Sequence, residues 1–147
     1  MARELPGAAV AERIKQEHPA AVVDWSATDV WVKPDAVHAV ASFLKTDQEM
    51  DFNYLVAVSA VDYVEYFEMV YHLRSLRKNH NAVLKTRLYG RNRPAVASVM
   101  DVWKGADLQE REVWDLMGIH FDGHPNMKRI LLWEGFEGHP LRKDFLR

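Results

Sequence analysis

The period of the apolar residues changes at Phe52, and that change limits what the chain can become. Before it, Val37, Val40, Ala41 and Leu44 recur at i, i+3, i+4 and i+7, the buried stripe of one helix, with Pro34 suited to its first turn. After it the pattern is extended. Residues 54–61 form an almost unbroken apolar run, which reads as a strand buried on both faces. Phe67, Met69, Tyr71 and Leu73 then alternate with Glu68, Val70, His72 and Arg74, a strand with one richer face. Residues 83–89 give a third strand beyond the turn-like Arg77-Lys78-Asn79-His80-Asn81. A meander of three antiparallel strands with helices before and after it predicts an α+β fold of two layers, helices packed on a largely antiparallel or mixed sheet.

The flanks fit that frame. Residues 7–18 read as a short amphipathic helix carrying Val10 and Ile14, stopped by His18-Pro19. Residues 21–25 and 30–33 are short extended segments around the polar turn Ser26-Ala27-Thr28-Asp29. Residues 96–103 suit either a short helix or a loop. Asp107 then offers a cap and Glu110, three residues on, completes a capping box for a helix bearing Leu108, Val113, Leu116 and Met117. Gly118 is placed to end it in a left-handed conformation. Beyond Gly118 the character changes. Phe121-Asp122-Gly123-His124-Pro125 is echoed by Phe136-Glu137-Gly138-His139-Pro140, and each is trailed by a basic pair, Lys128 and Arg129, then Arg142 and Lys143. Glycine and proline here fix an irregular path rather than a helix or strand. The expected division is a globular part, residues 1–118, and an extended docking segment, residues 119–147, that is not an independent domain.

Composition removes several functional classes. The 147 residues suit one domain with a real core, and 48% apolar with 27% charged residues is ordinary for a globular chain. A net charge of -2 argues against a dedicated nucleic-acid binder. The sequence has no cysteine, so it offers no disulfide, no thiol nucleophile and no thiolate for an iron–sulfur cluster. No apolar run approaches the ~20 residues that cross a bilayer, and the N-terminus does not resemble a signal peptide. The expectation is a cytoplasmic chain, or one bound to a membrane protein.

The charged and polar clusters admit both structural and functional readings. Between residues 71 and 93, Arg74, Arg77, Lys78, Lys85, Arg87, Arg91 and Arg93 occur with no acidic residue. This could be a docking face for an acidic partner or RNA. The simpler reading is a solvated hairpin protecting an edge strand, and no aromatics are interleaved as a stacking platform for nucleic acid would need. His38 beside the helical stripe reads as a surface residue, not a ligand. His120, His124 and His139, with Glu112, Asp115, Asp122, Glu137 and Asp144, supply metal-binding atoms on paper but no recognised ligand spacing. An imidazole satisfying backbone groups where regular structure stops explains them as well. Neither serine nor threonine follows Ser98, and no glycine-rich phosphate cradle occurs, so NADH and FMN have no site here. Glu110, Arg111, Glu112 and Asp115 lie within two helical turns, with Arg111 and Asp115 spaced to pair at i, i+4. Trp114 and Trp133 beside these charges are the kind of anchors interfaces prefer.

The run Glu110-Arg111-Glu112-Val113-Trp114-Asp115-Leu116-Met117-Gly118-Ile119 resembles the signature of the 30 kDa subunit family of the proton-pumping NADH–quinone oxidoreductase, respiratory complex I. His124-Pro125, Arg129-Ile130-Leu131 and Gly138-His139-Pro140-Leu141-Arg142-Lys143-Asp144-Phe145 match that family in order and spacing. So do Val61-Asp62-Tyr63, residues 67–73 and Val102-Trp103-Lys104-Gly105-Ala106, so the likeness covers about residues 35–147. It departs at Trp133-Glu134-Gly135-Phe136, where many members carry a proline and a polar residue, and at Arg147, beyond which many continue. The resemblance implies a non-redox subunit of the hydrophilic arm, peripheral on the cytoplasmic face of the bacterial cell membrane. It implies docking against the hydrogenase-large-chain-like subunit near the quinone site, with FMN and iron–sulfur clusters in neighbouring subunits and no cofactor, metal or catalytic residue in this one. The family-signature residues then become candidate docking residues: Glu110, Arg111, Glu112, Asp115, Gly118, His124, Pro125, Arg129, Gly138, His139, Pro140, Arg142, Lys143 and Asp144. Related chains serve membrane-bound hydrogenases and a coenzyme-F420-dependent dehydrogenase. A free-standing histidine-rich metal enzyme is the rival from another class.

Overall fold

The structure, a computed structural model, describes residues 2–145. A short β1 (Arg3–Glu4) leads into α1 (Gly7–Glu17), then β2 (Val22–Trp25) and β3 (Asp29–Val32). A single 3-10 turn, Pro34–Ala36, opens α2 (Val37–Thr46), and the long strands β4 (Tyr54–Asp62), β5 (Phe67–Ser75) and β6 (His80–Leu88) follow. The chain ends with β7 (Ala95–Ala97), α3 (Ala106–Met117), β8 (His120–Asp122) and a stretch without regular structure, residues 123–145, here called the returning segment.

The sheet runs β2-β3-β6-β5-β4, with β1 also on β6. The meander β4-β5-β6 is antiparallel, while β3 and β1 join β6 in parallel, so the sheet is mixed and the fold is α+β. One face is buried. Phe67, Met69, Tyr71 and Leu73 of β5 and Ala82, Leu84, Thr86 and Leu88 of β6 meet Val10 and Ile14 of α1 and the stripe Val37, Val40, Ala41 and Leu44 of α2. All four stripe residues are fully buried, because the i, i+3, i+4, i+7 spacing puts them on one side of the helix.

Three expectations are corrected. The apolar run 54–61 is not buried on both faces: β4 is an edge strand, and Tyr54, Val56 and Val61 are exposed on its outer side. An apolar run alone does not distinguish an inner strand from an edge whose outer face awaits a partner. The basic run does not guard an edge, since β6 lies inside the sheet. Two of its cations on β6 pair with acids on adjacent strands instead, Lys85 with Asp29 at 2.8 Å and Arg87 with Glu68 at 3.5 Å. Residues 96–103 are neither a helix nor simply a loop; they begin inside β7, which pairs in parallel with β8. The core also continues past Gly118, because Ile119 and Phe121 are buried in it. Leu146 and Arg147, at the end of the expected docking segment, lie outside the described residues.

Candidate docking interface

Two buried aspartates fasten the returning segment to the body. Asp115 sits on α3 with its side chain wholly buried. Its Oδ2 accepts the backbone N–H groups of Ile130, Leu131 and Leu132 at 3.1, 2.7 and 2.9 Å. Three successive amides around one oxygen form an anion-binding concavity, here filled by the protein's own carboxylate. Its Oδ1 takes Nη1 of Arg129 at 2.7 Å. Arg129 Nη2 continues outward to the carbonyls of Phe136 and Gly138. Burial pushes the Asp115 carboxyl up, but the Leu132, Leu131 and Ile130 amides and the Arg129 guanidinium outweigh it and hold it below the usual carboxylate range.

The expected Arg111–Asp115 pair does not form. Arg111 donates to the carbonyls of Lys128 and Arg129, both at 3.1 Å, so it holds the segment's backbone while Asp115 takes the longer-range cation. Nor does the capping box exist. Gly105 precedes the helix without a side-chain cap, and Leu108 is exposed. Glu110 is fully buried, accepting Ser98 Oγ at 2.6 Å and the Val99 N–H at 2.9 Å. Burial raises its pKa against those two bonds. Glu112 stays on the exposed side of the helix.

Gly118 ends α3 with φ +76°, as a left-handed C-cap requires, and His139 lies so close that a Cβ there would come within 2.6 Å of its ring. His139 Nδ1–H donates to the Asp115 carbonyl at 3.0 Å, and the Leu141 N–H to the Leu116 carbonyl at 2.9 Å, so the second echo satisfies the helix end. The first echo meets the same helix near its start. The His124 side chain is buried, its Nε2–H donating to the Asp107 carbonyl at 3.3 Å with the Asp107 carboxylate also near, and its Nδ1 accepting the Asn126 N–H. The prolines Pro125 and Pro140 follow these histidines, and Gly138, at φ +89°, packs under the Phe145 ring. The histidines thus serve separate backbone sites, and no group of three metal-ligating side chains occurs among the described residues.

The second fastening escaped sequence reasoning. Asp62, at the end of β4, accepts both terminal nitrogens of Arg91 at 2.7 Å and the backbone N–H of Lys143 at 2.8 Å. The Arg91 bonds hold its carboxyl far below the ordinary range against burial. Arg91 also meets Asp144 at 3.0 Å, and Arg142 pairs with Asp144 at 2.9 Å while donating to the Arg91 carbonyl. The available signal was an aspartate closing an apolar strand, a charge that needs a cation once the strand is placed. While the segment's backbone is held inward, Leu131, Trp133 and Leu141 stand outward, 61%, 69% and 60% exposed.

This fold recurs in a respiratory assembly of known structure. A chain in the structure of the membrane-bound sulfane sulfur reductase, an archaeal respiratory membrane complex, superimposes with TM-score 0.71 at 26% identity, over 94% of this chain and 84% of that one. The class it defines is an α+β fold shared with a chain of that respiratory membrane complex. The profile described as "Respiratory-chain NADH dehydrogenase, 30 Kd subunit" matches residues 30–147. A subunit of the NADH-quinone oxidoreductase of Roseiflexus sp. (strain RS-1) is 41% identical over 147 aligned residues, 95% of this chain and 84% of that protein. The like-named protein of Roseiflexus castenholzii is 45% identical over 118, covering 78% and 67%. The chain belongs to the family of the 30 kDa subunit of respiratory-chain NADH dehydrogenase.

Proposed function

We propose that the chain is a non-redox positioning subunit of a proton-translocating NADH–quinone oxidoreductase, seated in the hydrophilic arm against the quinone-site subunit. One observation carries the docking: a segment whose backbone is locked by Asp115, Arg129, Arg111 and Asp62 still turns Leu131, Trp133 and Leu141 to solvent. Apolar side chains displayed on a rigid path lose little conformational entropy on binding, which favours a permanent interface. The outer column of β4, with Tyr54, Val56 and Val61, supplies a second apolar surface. FMN and iron–sulfur clusters reside in neighbouring subunits, and the chain lies on the cytoplasmic face of the membrane through its partners. No helix among the described residues is long and apolar enough to cross the bilayer. The likeness to a chain of the sulfane sulfur reductase supports a related membrane complex as a second reading, but 41–45% identity to the NADH-quinone oxidoreductase relatives against 26% favours the NADH enzyme.

The test is affinity purification of the tagged chain from gently solubilised membranes of its own cell. The expected product contains the remaining subunits, flavin and NADH:quinone activity. Recovery of the chain alone, or with a hydrogenase or sulfur reductase and no flavin, would overturn the assignment.

A further inference from the structure

His124 and His139 occupy matching places in the two echoes but use their rings in opposite ways. His139 donates its Nδ1–H to the Asp115 carbonyl, a bond that a second ring proton leaves intact. His38, His80 and His120 likewise direct a ring nitrogen at a carboxylate or carbonyl oxygen. His124 differs. Its Nδ1 accepts the Asn126 N–H at 3.0 Å, so that nitrogen carries a lone pair and the ring is neutral, with its proton on Nε2. The bond closes the bend that leads from Gly123 to Lys128.

A second proton on this ring breaks one contact and strengthens another. Nδ1–H would face the Asn126 N–H, donor against donor. Asn126 is exposed, so its released amide can turn to water. On the other side of the ring, Nε2 lies 3.0 Å from Asp107 Oδ1, a buried oxygen with no hydrogen bond among the described residues. An imidazolium supplies the charge that this oxygen lacks. Glu110, on the next turn of α3, acts in the same sense, because a charged His124 favours its ionised form. The other charges on α3, β8 and the bend are engaged or face solvent. Asp115 takes Arg129, Asp122 takes His120, and Arg111 is directed at the Lys128 and Arg129 carbonyls, while Glu112 and Lys128 are exposed. The positive end of α3 opposes a cation, but it carries roughly half a charge against the whole charge of the adjacent carboxylate.

We propose that the bend from Gly123 to Lys128 is a pH-sensitive latch. Neutral His124 closes it on the Asn126 amide; protonation turns Nδ1 into a donor, releases that amide to water and leaves the imidazolium on Asp107. The release is confined to residues 125–127, because Arg111 still holds the Lys128 carbonyl. The latch belongs to the chain's own fold and does not depend on the subunit assignment.

Nuclear magnetic resonance of the full isotope-labelled chain between pH 8 and pH 5, the interval in which histidine characteristically changes charge, tests it. At pH 8 the Asn126 amide should show coupling through its hydrogen bond to His124 Nδ1. By pH 5 that coupling should vanish, the His124 Nε2–H should persist, and the Asn126 protection factor should fall about tenfold. The Leu131 amide, held by Asp115, should not follow. Asp107→Asn keeps the backbone carbonyl that His124 also meets and removes the charge, so the Asn126 change should move to lower pH. An Asn126 amide unchanged between pH 8 and pH 5 overturns the latch, and the parent chain alone decides that point. So does a change that keeps its midpoint in Asp107→Asn, or one that Leu131 shares, which would mean that the whole segment opens.

Discussion

At the scale of single residues, Gly118 and Val64 are two of the positions held at a positive φ that ordinary side chains resist. Gly118 is left-handed and pressed against His139, so an added Cβ would face both backbone strain and a ring at 2.6 Å. Gly118→Val should lower stability by about 2 kcal/mol or more, since a β-branched residue at positive φ adds strain to the clash. Thermal unfolding would read it, and an unchanged midpoint would remove the basis for the cap. The converse case is Val64. It occupies φ +72° in the β4–β5 turn, where its N–H is held by Asp62 Oδ1 at 2.8 Å, and its side chain is exposed. Nothing packs on that side chain strongly enough to justify the strain, so Val64→Asn should raise stability by roughly 0.5–1 kcal/mol. A fall in the unfolding midpoint would show that the valine has a packing role in the isolated chain.

At the scale of elements, the joint between α3 and the returning segment depends on one buried carboxylate. Asp115→Ala would leave three amides and the Arg129 guanidinium without their acceptor, a loss of about 3–5 kcal/mol by analogy with broken buried ion pairs. Hydrogen exchange should then rise at residues 130–132 while β5 and β6 stay protected; unchanged protection at 130–132 would dissociate the segment from Asp115. The pH dependence has a definite sign. The Asp115, Asp62 and Asp144 carboxyls are all held below the ordinary range by their partners, so their stabilisation is complete above the unfolded value of about 3.9 and is lost as pH falls through the lower folded values. The Leu131 amide resonance should therefore be stationary from pH 7 to about 5 and move toward its unbonded position only in acid. A shift centred near pH 6–7 would point to a histidine as the controlling group instead. This joint is also where local sequence patterns stop being informative. The stripe of α2, the meander and the Gly118 cap follow from local spacing and were legible. Asp115 has a ready local partner in Arg111 at i, i+4, and only the returning chain's path shows that Arg129 and three amides win it. Glu110 looked like a cap for the same reason, because its true donors, Ser98 and the Val99 amide, arrive from another element.

At the scale of the whole molecule, the question is which surface carries assembly. Reversing Arg142 and Lys143 looks attractive from sequence, but Arg142 already holds Asp144 and the Arg91 carbonyl. Its reversal would loosen the segment from within and would not report on a partner. Leu131 and Trp133 are better probes, because their backbone is fixed by Asp115 or lies just beyond it while the side chains are 61% and 69% exposed. Trp133 touches Phe136 edge-on, with ring centroids at 4.8 Å, and that is a contact within the segment rather than with the core. Replacing both, Leu131→Asp with Trp133→Asp, removes apolar area that only a partner would bury and places charge where desolvation would be required. At about 25 cal/mol per Å² and an aromatic's roughly 150–250 Å², full burial of the tryptophan alone is worth several kcal/mol. The isolated variant should unfold within about 0.5 kcal/mol of the parent chain, as surface changes do. In the complex it should be lost on a mild salt wash that leaves the unaltered chain bound, with NADH:quinone activity declining in parallel and NADH oxidation by an artificial acceptor preserved. Retention and activity equal to the parent's would mean that this face remains in solvent, and would transfer the docking role to the exposed column of β4.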